Sequence, residues 1–405
     1  MRLWYFTEQS YHPAWNAVKG PLRIHVPSSI MPPQTVSALL NRYLDEYMLA
    51  DEMGLDLMVN EHHQSLTCMS SVNIVTLSIL ARQTKTARLL SLGVPMGNRQ
   101  DPVRVAEELA MVDNISGGRV EFGFVKGTPW ELFMSNANPA GMMDRFWEAH
   151  DLVLKAFATL DGPFSWEGEH FNYRHVNVMP PIYQYPHPPM WLPGSGADTA
   201  RQAAKLGYVL ASMLTGTVAK GTFGAYRQEY RKVHGKSAGA DRLAYFGMLV
   251  VADTHAEARR RAEKLYAYSI ATPRSPAATF NPPGYASVEA NAHGLMAKSG
   301  GVDPHAGGVL MDGTPIPANP ALEMLPEAGK MFWGTPDEVV SQLTKFNDFV
   351  GGLGNFLCMT QGGFMEHAET ADSIRLIANE VYPRIRNLEL SAQARDANAA
   401  FEAAE

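Results

Sequence analysis

The stretch Leu55-Asp56-Leu57-Met58-Val59-Asn60-Glu61-His62-His63 combines an apolar run with three ionisable side chains at its carboxyl end. A short, mostly apolar run of this kind after a glycine is typical of a strand buried in a parallel sheet. In proteins with parallel strands, ligands and catalytic groups collect at the carboxyl ends of the strands. The stretch therefore predicts an α/β fold and also the edge of that fold at which the chemistry takes place.

Strand-like and helix-like patterns alternate along the chain, as expected of an α/β domain whose strands run parallel. Eight strands are predicted, at 3–6, 55–60, 89–94, 119–124, 190–193, 208–213, 243–251 and 355–360. Amphipathic segments such as 35–53, 103–115 and 255–268 separate them. Eight strands with intervening helices favour a closed (β/α)8 TIM barrel over an open sheet.

Two segments interrupt this alternation. Residues 163–189 are rich in aromatic residues and proline, which predicts a β-hairpin insertion before strand 5. Residues 273–332 are rich in proline, glycine, alanine and asparagine, and an excursion of this length is usually a lid or partly disordered. We interpret it as a lid insertion between strand 7 and strand 8. The expected organisation is a single barrel domain over 1–390 followed by a C-terminal tail over 391–405.

The composition excludes several classes of partner. Among 405 residues, 34 are Lys or Arg and 41 are Asp or Glu, and no basic block occurs, which argues against nucleic acid and anionic membranes. No apolar run approaches the ~20 residues that a membrane helix needs, and the N-terminus lacks the pattern of a signal peptide. The two cysteines, Cys68 and Cys358, are expected to be core residues in a reducing cytosol, so a cytoplasmic location is predicted.

Glu61, His62 and His63 allow three interpretations. A metal site is disfavoured, because neighbouring residues of an extended chain point to opposite sides and no further ligands stand out. Alternatively, one imidazole serves as acid, base or hydrogen-bond donor while the other packs, since an imidazole titrates near neutral pH. The two histidines could also be hydrogen-bonded core residues. The three residues alone give catalysis and structure equal weight.

A second candidate site follows strand 5, in the turn Gly194-Ser195-Gly196-Ala197-Asp198-Thr199. Its glycines allow a ligand to approach the backbone, Ser195 and Thr199 offer hydroxyls, and the start of the next helix presents free N–H groups. The turn has neither the spacing of a P-loop nor that of a dinucleotide fold, so it suggests a mononucleotide-type phosphate. It is equally compatible with a tight connection that binds nothing.

Two other strand ends offer candidate ligand contacts. After strand 4, Lys126 and Gly127 place a cation at the barrel mouth, where the charge either neutralises a phosphate or is solvated. Strand 3 ends in Gly93-Val94-Pro95, which is either a strand terminator or a floor on which a flat ring can lie. Aromatic residues and methionines near the strand ends suggest an apolar pocket, suited to an apolar or aromatic molecule of small to medium size.

Together these motifs resemble those of the bacterial-luciferase-like family of flavin-dependent monooxygenases. The resemblance rests on four elements, namely Glu61-His62-His63, a helix motif at 101–119, an aromatic hairpin at 164–171, and Gly194-Ser195-Gly196 followed by Thr199-Ala200. In order and spacing they cover roughly residues 1–270 and, more loosely, the last strand and helix. The resemblance implies a (β/α)8 barrel that binds FMN at its carboxyl end.

The resemblance also implies roles for individual residues. His62 matches a histidine beside the reactive part of the flavin, Glu61 matches the neighbouring carboxylate, and His63 is expected to be structural. Gly93-Val94 falls where the family has a non-prolyl cis peptide under the flavin ring. The residues matching the flavin contacts are Gly93, Val94, Lys126, Gly127, Ser195, Gly196 and Thr199. Lys126 stands where luciferases have an arginine, and Val125 replaces their reactive cysteine, so luminescence is not expected.

The implied activity is that of an oxygenase component. Reduced FMN (FMNH2) and O2 would form a flavin C4a-hydroperoxide, from which one oxygen atom enters an organic substrate. A separate NAD(P)H:flavin reductase is expected to supply the reduced flavin, because no NAD(P)H-binding fingerprint occurs in the sequence. A homodimer or higher homo-oligomer is expected. A deazaflavin-dependent oxidoreductase and a flavin-binding protein without turnover remain as alternatives.

Overall fold

The computed structural model of the protein describes residues 1–271, 282, 284–285, 308–317 and 320–403. The strands, in chain order, are β1 (Arg2–Thr7), β2 (Asp56–Val59), β3 (Leu89–Pro95), β4 (Val120–Val125), β5 (Phe164–Glu167), β6 (Asn172–Val176), β7 (Met190–Pro193), β8 (Val209–Met213), β9 (Leu243–Val251), β10 (Met331–Gly334) and β11 (Asn355–Gln361). Eight of them pair in parallel in the cyclic order β1, β2, β3, β4, β7, β8, β9, β11. The pairing of β11 with β1 closes the ring and confirms the predicted (β/α)8 barrel.

Helices connect the strands on the outside of the barrel. They are α1 (Pro33–Glu52), α2 (Asn73–Gln83), α3 (Pro102–Ser116), α4 (Pro129–Ser135), α5 (Met142–Ala158), α6 (Ala197–Leu206), α7 (Ala219–His234), α8 (His255–Ala271), α9 (Pro336–Phe349), α10 (His367–Leu376), α11 (Tyr382–Ile385) and α12 (Ala392–Ala403). A π-helical turn, Ile377–Val381, joins α10 to α11. Among the described residues, no helix has both the length and the apolar composition needed to cross a bilayer.

The alternation of side chains along the strands divides the core into two layers. In β1, Trp4 and Phe6 belong to the cluster inside the barrel, whereas Leu3 and Tyr5 belong to the cluster between strands and helices. Inside the barrel, Trp4 packs edge-on against Trp191 with ring centroids 5.4 Å apart. Because a strand points successive side chains to opposite faces, an apolar strand run fills both layers at once.

Local sequence signals set the ends of the helices next to the site. Asp101 caps α3 by accepting a hydrogen bond from the backbone N–H of Arg104 at 3.1 Å, and Pro102 occupies the first helical position. Gly117 ends the helix in the left-handed conformation, with a φ of 66°. These signals orient α3 so that its first turn lies at the barrel mouth.

The segment 163–189 contains a two-stranded antiparallel sheet of β5 and β6. Glu148 of α5 fastens it to the barrel, because its carboxylate accepts hydrogen bonds from the backbone N–H groups of His170 and Phe171 at 2.8 and 2.9 Å. Tyr173 donates a hydrogen bond to Asp101 at 2.8 Å. The insertion is therefore tied to the starts of α3 and α5.

The segment 273–332, assigned to a lid, needs one correction at its carboxyl end. The stretch from Leu322 onward packs into the core, with Leu325 and Met331 fully buried. β10 begins at Met331 and pairs with β9, on the side of β9 that faces away from β11. This ninth strand was not predicted, because it is only four residues long and follows a Pro- and Gly-rich stretch. Most of the remaining segment lies outside the described residues.

The segment 391–405, assigned to a tail, forms α12 over most of its length. The helix packs on α7, where a Cβ on Gly224 would lie 2.5 Å from the Phe401 ring. Asn398 donates a hydrogen bond to the carbonyl of Gly351 at 2.6 Å. This helix was not predicted from the sequence, because its polar residues and several alanines do not form a clear amphipathic pattern.

Candidate active site

A cavity of about 250 Å³ opens at the carboxyl ends of the barrel strands. Apolar side chains from inside the barrel form its base, and they are Phe6, Met58, Leu92, Met213 and Phe246. Its polar lining follows β1, β2 and β4 and consists of Glu8, Asn60, Glu61, His62, Lys126, Thr128 and Glu131. The cavity therefore has an apolar base and one wall that carries almost all of its polar groups.

His62 is held on that wall by Glu131 of α4. Its Nδ1 atom lies 3.0 Å from Oε1 of Glu131, and about a quarter of the imidazole side chain is exposed. Glu131 is 1% exposed and also accepts hydrogen bonds from the backbone N–H groups of Thr128 at 2.9 Å and His63 at 3.2 Å. The carboxylate is thus fixed, and it leaves Nε2 as the ring nitrogen of His62 that is free to meet a ligand.

The charges of His62 and Glu131 stabilise each other. Burial lowers the pKa of His62, but the hydrogen bond and negative charge of Glu131 act in the opposite direction and raise this pKa above its usual 6.5. Burial raises the pKa of Glu131, whereas the hydrogen bonds from His62 and Thr128 lower it to about 2. The pair therefore favours an imidazolium next to a carboxylate.

Glu61 and His63 form a separate network behind this wall. One carboxylate oxygen of Glu61 lies 2.6 Å from Nη2 of Arg99 and 3.1 Å from Nε2 of His63. The other oxygen accepts the backbone N–H of Asn73 at 3.1 Å. His62 and His63 follow the end of β2 and point to different carboxylates, and the described residues contain no cluster suited to a metal ion. These contacts fix the Glu61 carboxylate at the end of β2.

The floor of the cavity at β3 is made of backbone. A Cβ atom on Gly93 would lie 2.1 Å from the carbonyl oxygen of Gly123 in β4, so neither strand has room for a side chain there. The non-prolyl cis peptide is Leu92–Gly93, one bond earlier than the predicted Gly93–Val94. The register between β3 and β4 shifts between Leu92 and Val94, and the Val94 side chain packs in the outer layer instead of the cavity.

Lys126 lies where two cavities meet. Together with Pro193 it lines both the 250 Å³ cavity and a second cavity of about 700 Å³. Its ammonium group donates a hydrogen bond to the carbonyl of Tyr285 and lies 3.7 Å from the centroid of the Tyr285 ring. The Tyr285 hydroxyl donates to the carbonyl of Gly127 at 2.9 Å. Burial lowers the pKa of Lys126.

The turn after β7 borders the second cavity. Thr199 and Asp198 line it, while Ser195 and Gly196 are exposed at the start of α6. A Cβ on Gly194 would lie 2.3 Å from the Thr199 methyl group, so this glycine lets the turn close onto the helix. No side chain caps α6, and its first N–H groups remain open to an anion. The predicted phosphate turn and Lys126 therefore border one space.

Sequence analysis missed two carboxylates of the cavity. Glu131 lies 69 residues from its partner His62, and the only local signal is an acidic residue in the first turn of a short helix after Pro129. Glu8 follows the last residue of β1 and accepts a hydrogen bond from Nδ2 of Asn60 at 2.9 Å. A polar residue directly after a barrel strand is the signal that identifies Glu8.

Comparison with known proteins gives a consistent result. A model of the luciferase-like monooxygenase family matches residues 24–351. An uncharacterised protein of Sinorhizobium fredii is 31% identical over 242 residues, which are 58% of this chain and 67% of that protein. The oxygenase component of a flavin-dependent trigonelline monooxygenase from Acinetobacter baylyi is 26% identical over 164 residues, 39% of this chain. That alignment spans less than half, 44%, of the Acinetobacter protein.

Solved structures share the fold. The oxygenating constituent of 3,6-diketocamphane monooxygenase from Pseudomonas putida, in complex with FMN, superposes with a TM-score of 0.70 at 19% identity, over 89% of this chain and 97% of that one. An F420-dependent secondary alcohol dehydrogenase superposes with a TM-score of 0.60 at 17% identity, over 85% and 94%. The same barrel thus occurs with two kinds of flavin-like coenzyme.

Proposed function

The chain belongs to the luciferase-like monooxygenase family, and on that premise we propose that it is the oxygenase component of a two-component flavin monooxygenase. It uses reduced FMN and dioxygen to transfer one oxygen atom to an apolar or aromatic substrate of small to medium size. The observation that carries the proposal is the His62–Glu131 pair on the wall of an apolar cavity. The FMN complex of a structural relative and the oxygenase component among the sequence relatives support it.

The residues of the site fit a flavin mononucleotide. Gly93 lines the cavity and packs closely on Gly123, so this part of the lining is bare backbone, which suits a planar ring. The second cavity offers Lys126, the Thr199 hydroxyl and the uncapped start of α6 to a phosphate. Thr128 Oγ1 is buried in the cavity lining beside Glu131, where it can accept a hydrogen bond from a polar ring atom.

The chain's own residues would support oxygen transfer in three ways. Bound reduced FMN supplies the electrons for the reduction of dioxygen. His62 holds a proton that its Nε2 atom can donate to an oxygen atom in the cavity, and Glu131 keeps the imidazole charged and oriented. Phe6, Met58 and Phe246 exclude water from the base of the cavity, which favours transfer to the substrate over loss as peroxide.

The remaining residues hold the cofactor and the wall in place. We assign Ser195, Gly196, Thr199 and Lys126 to the phosphate, and the backbone at Gly93 and Gly127 to the ring. Glu61 acts through Arg99 and His63 as a positioning residue. Reduced flavin is expected from a separate NAD(P)H:flavin reductase, and the homodimeric or higher state and the cytoplasmic location remain predictions.

The proposal is tested with labelled dioxygen. Purified protein, FMN, NADH and a flavin reductase are incubated under ¹⁸O₂ with a panel of apolar and aromatic compounds, and products are read by mass spectrometry. A product carrying one ¹⁸O atom, lost when protein or reductase is omitted, is the expected result. Binding of reduced FMN and reduced F420 is measured in parallel. Tight binding of F420 alone would favour a deazaflavin oxidoreductase, and FMN binding without any product would favour a flavin-binding protein.

A further inference from the structure

We propose that Glu8 selects the substrate, by binding a cationic or N–H-bearing nitrogen attached to an otherwise apolar molecule. The inference deepens the proposed function and rests on it, because it assigns the part of the cavity beside Glu8 to the substrate, while the backbone at Gly93 and Gly127 is assigned to the flavin ring. The observations that carry it are the position of Glu8 in the cavity lining and the charge balance around it.

The other two carboxylates of the cavity have charged partners in the chain. Glu131 is matched by His62 at 3.0 Å. Glu61 is matched by Arg99 at 2.6 Å and by His63 at 3.1 Å. Glu8, by contrast, forms no ion pair with any of the described residues, and its one hydrogen bond to a nitrogen comes from neutral Asn60. Glu8 is therefore the carboxylate of this cavity that has no charged partner at ion-pair distance among the described residues.

Asn60 holds the Glu8 carboxylate by only one of its oxygens. Nδ2 of Asn60 donates to Oε2 of Glu8 at 2.9 Å, and Oδ1 of Asn60 lies 3.7 Å from the Cys68 thiol, which fixes the direction of the amide. The Asn60 carbonyl accepts a hydrogen bond from Ser70 at 2.8 Å, which fixes its backbone. The carboxylate is therefore preorganised by Asn60 and the neighbouring Cys68 thiol, and it keeps lone pairs that can accept a hydrogen bond from a ligand.

No cation of the described residues forms an ion pair with Glu8, although the charges of Arg23 and His62 both act on it from a longer distance. Arg23 interacts with it only at longer range, because the guanidinium stacks over Trp130 at 4.1 Å from the ring centroid and donates to Thr67 at 3.2 Å. Lys126 lies at the end of β4, where Tyr285 engages its ammonium group. A partner for Glu8 must therefore come from outside this part of the chain.

The physical chemistry of the cavity determines what that partner is. A carboxylate beside apolar side chains such as Phe6 and Met58 loses hydration when a ligand fills the space, and this cost is offset only by a donor on the ligand. An aromatic or aliphatic body would contact the base while a protonated amine, amidine or N–H group meets Glu8. A neutral ligand of the same shape leaves the carboxylate without a partner and binds more weakly.

The experiment uses a matched pair of probes, benzylammonium and benzyl alcohol, titrated calorimetrically into the full-length protein with and without oxidised FMN. We expect the wild-type protein to prefer benzylammonium by about tenfold or more. Glu8→Gln keeps the shape and the hydrogen bond from Asn60 but removes the charge, so the preference should disappear while benzyl alcohol binds as before. Asp45→Asn, on the exposed face of α1, makes the same change in net charge away from the cavity and should keep the preference.

A wild-type protein without preference, or Glu8→Gln with the preference intact, would overturn the assignment. Glu8→Asp keeps the charge on a shorter side chain and should retain part of the preference, which separates loss of charge from misfolding of the variant. The titration without flavin does not depend on the proposed function. If FMN fails to bind and the preference persists, the proposed function fails while the role of Glu8 stands.

Discussion

His62 and Glu131 depend on each other for their charge states. Burial alone would lower the pKa of His62, and the hydrogen bond and charge of Glu131, with a smaller contribution from Glu8, raise it above 6.5. Because the folded-state pKa of His62 is raised, its stabilising charge is present below pH 6.5 and is lost as the pH rises through the raised value. Glu131 contributes stability above pH 4.5, and this contribution is lost as the pH falls towards about 2.

The substitution Glu131→Gln tests this dependence. Without the carboxylate, burial remains as the main influence, and the pKa of His62 should fall from above 6.5 to below it. We expect the yield of oxygenated product per flavin oxidised to decline at a lower pH than in the wild type. The pKa is measured directly by NMR titration of the His62 ring carbons in selectively labelled protein. Glu52→Gln, at the exposed end of α1, is the control, and an unchanged His62 titration in Glu131→Gln would contradict the assignment.

The backbone around Gly93 leaves no space for a side chain at this position. The substitution Gly93→Ala places a Cβ 2.1 Å from a carbonyl oxygen of β4, and backbone cannot move aside as a flexible side chain can. We expect a loss of about 2 kcal/mol or more in the free energy of unfolding, measured by urea denaturation. Gly221→Ala, within α7 and with no atom in the way, should instead be neutral or stabilise by up to about 1 kcal/mol. Equal effects of the two substitutions would show that the contact between β3 and β4 is looser than described.

At the scale of elements, the turn from β7 into α6 is expected to recognise phosphate. In Ser195→Ala combined with Thr199→Ala, the hydroxyls are removed while the helix start is kept. We expect FMN to bind about tenfold more weakly, because charge-assisted hydrogen bonds to the phosphate are lost. Riboflavin, which has no phosphate, should bind as it does to the wild type. The two affinities are measured by fluorescence quenching. An equal loss of affinity for both flavins would indicate that the phosphate does not bind at this turn.

The carboxyl end of α9 is held by a single arginine of α7. The buried Arg227 guanidinium donates hydrogen bonds to the carbonyls of Val350, Gly351 and Gly352 at 3.1, 2.7 and 2.7 Å. Helix ends leave such carbonyls without partners, and an external donor satisfies them. The arginine therefore connects two neighbouring helices of the outer layer.

Arg227→Met should leave the carbonyls of Val350 and Gly352 without the arginine donor, whereas Gly351 keeps its hydrogen bond from Asn398. We expect the free energy of unfolding to fall by about 3 kcal/mol or more. Arg231→Met, one turn further along α7, removes an arginine that is half exposed and paired with Glu402, and should cost less than about 1 kcal/mol. The free energy of unfolding of both variants is measured with denaturant. A similar decrease in the two variants would mean that the carbonyls at the end of α9 find other donors.

At the scale of the whole molecule, α12 completes the outer layer. It covers Gly224 of α7 and the Gly351 carbonyl after α9, so the barrel without it would expose both. A chain that ends at Leu390 should lose about 2 kcal/mol or more of unfolding free energy. Calorimetry of the shortened and full-length chains measures the loss, with Phe401→Ala in the full chain as a smaller version of the change. Identical transitions would indicate that the segment is a tail after all.

The barrel was predictable because its signals are local. Apolar runs such as the one after Gly54 recur at every barrel strand, and caps such as Asp101-Pro102 mark where a helix begins. Alternation along an extended chain predicted that His62 and His63 point to different sides, and the family resemblance assigned His62 to the ligand. The sequence did not reveal that His62 pairs with Glu131 or that Glu8 meets Asn60. Both contacts depend on which strand ends come together in space, and the partners are far apart in sequence. The ninth strand of the barrel sheet, β10, was not predicted because four residues are too few to show a strand periodicity.

The bare backbone at Gly93 and Gly123 has a consequence for how this molecule can diversify. Substitutions alter side chains, so they can reshape the cavity at Glu8, Met58 or Met213 while the backbone at Gly93 stays in place. A laboratory evolution experiment for new substrates should therefore accumulate changes at these side chains and leave Gly93 alone. New specificity would arise in side-chain atoms, whereas the backbone on which the coenzyme would rest should stay the same in every variant that still folds.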